Sequence, residues 1–165
     1  MTVNAATVLS ALQKRGQYLA IAESLTGGLL SAEFISVPGA SNVMLGSVTA
    51  YQNSLKQNLL AVPANVLQSR GAVSSETAEA MAVGVREQLA HAAGVPLDKV
   101  IGIATTGVAG PDADGDKPVG LVYLGYALPG GVVRSVELRL TGDRTKIRAE
   151  AVASAVSELW EQIAK

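Results

Sequence analysis

A serine beside two glycines, a lysine after a tyrosine, and a pair of arginines near the end of the chain are the residues with the types and spacing for chemistry. Ser24 lies in the stretch from Ala20 to Leu30, Ala-Ile-Ala-Glu-Ser-Leu-Thr-Gly-Gly-Leu-Leu, just after an apolar run, Tyr18 to Ala22, suited to a buried strand. The glycines and a helix-like pattern follow at once, so the stretch reads as strand, tight turn and helix. The first N–H groups of such a helix lack intrahelical acceptors and carry the positive end of the peptide dipoles. Gly27 and Gly28, without Cβ atoms, let a ligand approach that backbone. The turn therefore suits a phosphate or a developing oxyanion, with the Ser24 hydroxyl alongside. On this stretch alone a plainer reading outweighs it: Ser24 or Thr26 caps the helix and the glycines make the turn.

A serine nucleophile needs a base, and the single histidine, His91, lies late in an alanine-rich helical pattern that reads as surface or helix end. Little room remains for a Ser-His-Asp triad. A lysine kept neutral by desolvation or neighbouring positive charge can do the same work. Lys56 is the candidate, in Tyr51-Gln-Asn-Ser-Leu-Lys56, where a helix start could aim its amine back across a sheet end. Tyr51 could hold the hydroxyl or relay a proton. Spacing alone favours the ordinary alternatives, a solvated helix lysine and a tyrosine ring packed at a strand end. Arg144 and Arg148, one turn apart after Thr141-Gly142-Asp143, could clamp a phosphate or carboxylate, whereas a surface ion pair is the commoner fate of Arg144. Asp112, Asp114 and Asp116 alternate like the start of a calcium loop, but Lys117 and Tyr123 stand where its glycine and final glutamate belong. That run reads as a solvated loop.

The elements that must position these residues follow from periodicity. Helices are expected over Ala5 to Arg15, from the Ser24 junction to about Ser36, after Gln52-Asn53-Ser54 through Leu60, and after the cap Ser74-Ser75-Glu76 as far as Gly94. Val66 and Leu67 suggest one further helical turn. The last helix runs from Arg144 to the C-terminus with Ile147, Ala151, Ala155, Leu159 and Ile163 on one stripe and Trp160 beside it. Strands are expected over Val43 to Tyr51 and Lys99 to Thr106, then Gly120 to Leu128 and Val132 to Leu140 as a hairpin over Pro129-Gly130-Gly131. In the last strand Val136, Leu138 and Leu140 alternate with Glu137 and Arg139, the pattern of an antiparallel strand near an edge with one wet face. Helices interleaved with apolar strands predict an α/β fold, a three-layer α/β/α domain on a mixed, mostly parallel sheet of about five strands. Ligands of such sheets bind beyond the carboxyl ends of the strands, where Ser24, Tyr51 and Thr106 fall.

Composition bounds the rest. The 165 residues fit a single domain, 1–165, and 48% hydrophobic against 16% charged residues argues against disorder. Glycine, proline or charge breaks every apolar run before membrane-spanning length. A formal net charge of -1 without blocks of like charge offers no footprint for nucleic acid or an anionic membrane, so a bound phosphate would belong to a small molecule. The absence of cysteine removes disulfides, thiolate metal sites and a cysteine nucleophile, and one histidine removes multi-histidine metal sites. Met1 to Arg15 lacks a signal-peptide core, so a cytoplasmic location is expected. Alanine-rich apolar helices suggest a homo-oligomer, a dimer or larger.

Several segments together are more specific than any one of them. Ala22-Glu-Ser-Leu-Thr-Gly-Gly28, Tyr51 to Lys56, Gly71-Ala-Val-Ser74, Thr106-Gly-Val-Ala-Gly-Pro-Asp112, Lys117-Pro-Val-Gly120 and Thr141-Gly-Asp-Arg144 span nearly the whole chain. In that order they resemble the CinA C-terminal domain family in its stand-alone form, the nicotinamide mononucleotide deamidases also called PncC. The resemblance implies hydrolysis of the nicotinamide mononucleotide carboxamide to nicotinate mononucleotide and ammonia, without a metal or other cofactor. It implies Ser24 as nucleophile, Lys56 as base, Tyr51 as a supporting group, and Thr106 and Arg144 as further active-site residues. To these we add the N–H groups of Thr26, Gly27 and Gly28 as candidate oxyanion donors, and Arg144 with Arg148 for the substrate phosphate. Leu25 departs from the family, which usually has a small cysteine there, and could narrow or dry the pocket. The upstream domain fused in many relatives is not expected. A nucleotide- or phosphate-binding module on the same turn and Arg144, an amidase for another small carboxamide, and a purely structural role are the alternatives.

Overall fold

In the computed structural model, which describes residues 3–164, the elements are α1 (Ala5–Lys14), β1 (Tyr18–Glu23), α2 (Leu29–Ile35), β2 (Met44–Thr49), α3 (Asn53–Leu60), α4 (Ala64–Arg70), α5 (Ser75–Ala93), β3 (Val100–Gly107), β4 (Leu121–Ala127), β5 (Val133–Arg139) and α6 (Arg144–Ile163). The strands form one sheet in the order β2-β1-β3-β4-β5. β1 pairs in parallel with both β2 and β3, while β4 runs antiparallel to both β3 and β5, so four of the five strands point the same way. The three-layer, mixed α/β/α fold read from periodicity is the fold observed.

Alternation along β1 and β3 sorts the core into two layers. Leu19, Ile21, Ile101 and Ile103 face α1, α2 and α6, where Leu12, Phe34 and Leu159 close a large-residue core. Ala20, Ala22 and Ala104 face α5, with Met81, Val85 and Leu60 beyond. Small residues on that face bring α5 hard against the sheet. A Cβ on Gly102 would lie 2.1 Å from the Ala82 carbonyl oxygen, and one on Gly125 2.1 Å from that of Ala78. The side chains of Asn4, Ser74 and Asp143 cap α1, α5 and α6 by accepting the N–H groups of Thr7, Thr77 and Lys146.

Some boundaries differ from the periodicity reading. α4 is a full helix rather than a single turn, and β2 ends at Thr49, before Ala50 and Tyr51. α6 ends at Ile163, and Lys165 lies outside the described residues. No helix among the described residues is long and apolar enough to cross a membrane.

The connection from β1 to β2 carries α2 on one face, and the connection from β2 to β3 carries α5 on the other. Winding therefore reverses across β1 and β3, the position where open α/β sheets hold ligands at the carboxyl ends of their strands. Ser24 leaves β1 there, and Thr106 lies at the end of β3.

Candidate active site

The backbone past β1 is pinned before the turn begins. The Ser24 N–H donates to the Thr105 carbonyl at 3.0 Å, and the Glu23 carbonyl accepts the Ala50 N–H at 2.9 Å. The hydroxyls of Thr26 and Thr105 meet at 2.7 Å. Gly27 donates back to the Ser24 carbonyl at 3.2 Å, and Gly27 and Gly28 take φ of 57° and 99°, the left-handed region that glycine enters without strain. Neither Ser24 nor Thr26 caps α2, whose N-cap residue Gly28 makes no side-chain cap bond.

The group that satisfies the start of α2 is Glu23, completely buried in β1. Its carboxylate accepts the N–H groups of Gly28 at 2.9 Å, Leu30 at 3.0 Å and Ser31 at 2.9 Å. The positive end of this short helix thus already holds an anion from its own chain. Arg148 braces the turn from the other side, donating from Nε to the Leu25 carbonyl at 2.8 Å and from Nη2 to the Thr26 carbonyl at 3.0 Å.

These bonds correct the expected ligand set. The N–H groups of Gly27 and Gly28 and the guanidinium of Arg148 are engaged within the protein, Thr26 is completely buried, and none of Thr26, Gly27, Gly28 or Arg148 lines the cleft. Periodicity missed Glu23 by reading it as the polar stop of a strand. The signal was there: an acid on the last residue of an all-apolar strand, one turn before a glycine-started helix, has the helix N–H groups as its natural partners.

Lys56, the fourth residue of α3, reaches back over the end of β1. Its Nζ lies 3.2 Å from Ser24 Oγ and donates to the carbonyls of Ala50 at 3.0 Å and Tyr51 at 2.9 Å. The side chain is 1% exposed and makes no ion pair among the described residues. Burial disfavours the charged amine and lowers its pKa from 10.5 to about 8. At pH 7 about a tenth of the molecules would then carry a neutral amine. In that form the two N–H bonds go to the two carbonyls, and the lone pair is left facing Ser24 Oγ.

The cleft over this pair has a volume of about 270 Å³. Tyr51, Thr106 and Arg144 line it with Ser24 and Lys56, so five expected residues from separate parts of the chain converge. Thr106 is 1% exposed and its hydroxyl donates to the Ala72 carbonyl at 2.6 Å, tying the end of β3 to the segment before α5. Arg144 sits exposed at the rim, donating to the Gly110 carbonyl at 2.8 Å and to the Tyr51 phenol oxygen at 3.3 Å. The Tyr51 ring is therefore a rim group held by Arg144, while its carbonyl holds Lys56. Leu25 lines the cleft while its side chain is buried in the core shared with α2 and α6. Asp112 and Asp114, expected only as parts of a solvated loop, also line the mouth.

A mixed α/β/α sheet with a buried serine–lysine pair at its winding reversal is the class of site defined by this geometry. The chain belongs to the CinA C-terminal domain family, whose model matches residues 2–163. It is 46% identical over 158 residues to a CinA-like protein of Frankia casuarinae, covering 95% of this chain and 34% of that protein. It is 44% identical over 153 residues to a putative competence-damage inducible protein of Halothermothrix orenii, covering 92% of this chain and 35% of that one. The chain thus spans about a third of the length of these relatives. Among solved structures, the competence/damage inducible protein CihA of Agrobacterium tumefaciens superimposes with a TM-score of 0.87 at 31% identity, covering 98% of this chain and 93% of that one. A CinA superfamily protein of Klebsiella pneumoniae gives 0.84 at 32% identity, with 95% and 93% covered.

Proposed function

We propose that the protein is an amidohydrolase that converts nicotinamide mononucleotide to nicotinate mononucleotide and ammonia, as its family resemblance implies. The observation that carries the reading is the buried Lys56 amine 3.2 Å from Ser24 Oγ with no carboxylate paired to it among the described residues. A lysine that serves only as a surface charge has no reason to be desolvated, whereas a lysine that must accept a serine proton does.

Ser24 Oγ attacks the carboxamide carbon while the Lys56 lone pair takes the hydroxyl proton. Negative charge develops on the former carbonyl oxygen. The N–H of Leu25, a residue that lines the cleft, makes no hydrogen bond among the described residues and is the turn donor left for it. Collapse breaks the carbon–nitrogen bond, Lys56 returns its proton to the departing ammonia, and an ester on Ser24 remains. Water, deprotonated by Lys56, then attacks that ester, the carbon–Oγ bond breaks as Lys56 returns the proton to Ser24 Oγ, and the acid product leaves as its carboxylate. Arg144, at the rim and without an ion pair among the described residues, suits the substrate phosphate, and Asp112 and Asp114 place negative charge near a cationic pyridinium ring. A homo-oligomer in the cytoplasm, with a soluble nucleotide and neither nucleic acid nor membrane as partner, completes the reading, and sedimentation of the purified protein checks the assembly.

A binding module is the second reading. It is favoured by a lysine pKa of about 8, which leaves most Lys56 amines charged at neutral pH. Incubating the protein with nicotinamide mononucleotide and following ammonia separates the two. Release by wild type that is lost in Ser24→Ala and Lys56→Ala supports the hydrolase. Tight binding without release supports the module, and release from other carboxamides alone moves the substrate elsewhere.

A further inference from the structure

Two cations are buried among the described residues, Arg86 and Lys56, and their surroundings differ. Arg86 donates to the carbonyls of Val100 at 2.7 Å and Leu97 at 2.8 Å, and the carboxylates of Glu87 and Asp98 lie near enough to favour its charge. Lys56 also donates to two carbonyls, but no carboxylate is paired with it among the described residues. The acids around it are placed elsewhere. Glu23, beside Ser24 on β1, has its carboxylate on three N–H groups at the start of α2. Asp112 and Asp114 are exposed at the mouth with Arg144, whose guanidinium also holds the Tyr51 phenol. Burial therefore acts on the amine with no charge to offset it. Below about pH 8 most Lys56 is nevertheless an ammonium, with Ser24 Oγ as its third acceptor at 3.2 Å.

The proposed reaction makes the counter-ion that the protein does not supply. A neutral carboxamide becomes a carboxylic acid at the same carbon, and an oxygen takes the place of the nitrogen to which Lys56 gave its proton. Carboxylic acids titrate near about 4, far below the amine. The proton of the new acid therefore passes to Lys56: its O–H bond breaks, an N–H bond forms, and a carboxylate is left against an ammonium. Lys56 is desolvated by the fold with or without a ligand, so only the carboxylate has to leave water for the pair to form. We infer that the Ser24–Lys56 end of the cleft is a carboxylate-binding site, at which the carboxylate product binds more tightly than the carboxamide substrate and keeps the base protonated until it leaves. The inference rests on the amidohydrolase reading for the identity of its ligands. Accumulated product then inhibits competitively, and sustained turnover needs a following reaction that consumes the carboxylate nucleotide.

The test is calorimetric titration of Ser24→Ala, which keeps Lys56 and lacks the nucleophile, with nicotinate mononucleotide and with nicotinamide mononucleotide. Near about pH 7 the carboxylate should bind about 10- to 100-fold more tightly, the range of one hydrogen bond between charged groups. A carboxylate beside an ammonium raises its pKa, and by linkage the same factor is a rise of about one to two units above about 8. The preference should therefore be nearly full at about pH 7, fall as pH climbs from about 8 to 10, and be lost above that. Near about pH 9 the carboxylate should take up about 0.4 to 0.8 of a proton per site, read by repeating the titration in buffers of different ionisation enthalpy, and the carboxamide none. Lys56→Met should bind the two nucleotides within about threefold of each other. If that variant does not fold, proton uptake by Ser24→Ala still decides. Equal affinities near about pH 7, or a preference without proton uptake near about pH 9, overturn the inference. A carboxylate preference with no ammonia release by wild type would sink the hydrolase reading and leave the carboxylate site standing. Failure of both nucleotides to bind overturns both.

Discussion

The turn after β1 and the outer strand β5 handle charge in opposite ways. Around the turn, Glu23 and Lys56 are buried and Arg148 is half-buried, and the recorded partners of all three are backbone groups and one serine rather than counter-ions. On β5, Glu137 and Arg139 pair with each other at 2.7 Å in solvent, and Glu137 accepts the Tyr123 phenol at 2.8 Å. The difference is one of purpose. A charge buried among peptide groups fixes where a backbone goes, and the loss of its partner leaves polar groups without water. Charges along an edge strand discourage pairing with another sheet and add little stability. Substitutions should therefore matter in proportion to how many backbone groups depend on the charge.

The largest effect is expected at the pair itself. Ser24→Ala and Lys56→Ala should each lower kcat for carboxamide hydrolysis by at least about 10³-fold, read as ammonia release, because nucleophile and base act as one unit. Equal residual rates in the two single variants and the double variant would sharpen the comparison, and additive losses would break it.

The next is pH. Because the reactive form of Lys56 is neutral, kcat should climb about tenfold per pH unit below about 8 and level off above it. Stability follows the same proton. The folded pKa lies below the unfolded 10.5, so between about 8 and 10.5 the unfolded chain binds more protons and the fold gains stability as pH rises. Relative to Lys56→Met, wild type should gain up to about 3 kcal/mol across that window, measured by urea denaturation at each pH. A flat difference would mean that the amine is solvated in the folded protein.

How these residues meet was only partly readable from the sequence. The apolar run ending at Glu23, the glycine pair and the caps at Ser74 and Asp143 carry local signals, and the elements around them follow. Ser24 and Lys56 are 32 residues apart, and nothing in their spacing brings them together. What does is strand order: β2 lies beside β1, so the chain leaving β2 turns over the end of β1 and aims α3 back at Ser24. The early end of β2 belongs to the same arrangement, since the carbonyls of Ala50 and Tyr51 hold Lys56. The N–H groups of Gly28, Leu30 and Ser31 look free in sequence because their acceptor, Glu23, lies within the preceding strand. Arg148 shares the helical spacing of a phosphate clamp with Arg144, and only the packing of α6 against the turn shows that it serves carbonyls instead.

Glu23 tests the energetic side of the comparison. Glu23→Ala would leave the N–H groups of Gly28, Leu30 and Ser31 without their acceptor, two of those bonds being buried. A buried donor without a partner costs about 1–3 kcal/mol, and partial relaxation of a short helix should hold the total near 3 kcal/mol. Glu23→Gln keeps one acceptor oxygen and should lose about half as much, by chemical denaturation. The Gln variant should also keep more activity than the Ala variant, because the turn that carries Ser24 stays partly braced.

The smallest effect is expected on β5, where it sets the baseline. Glu137→Gln removes a carboxylate held below the usual range by the Tyr123 hydroxyl and, to a smaller degree, by Arg139. Every group it leaves behind can turn to water, so no polar atom is stranded. The thermal midpoint should move by no more than about 2 °C, and kcat and KM should not move at all. A shift as large as that of Glu23→Gln would mean that exposure does not decide the worth of a charge in this molecule. The contrast between the two regions would then rest on something other than access to water.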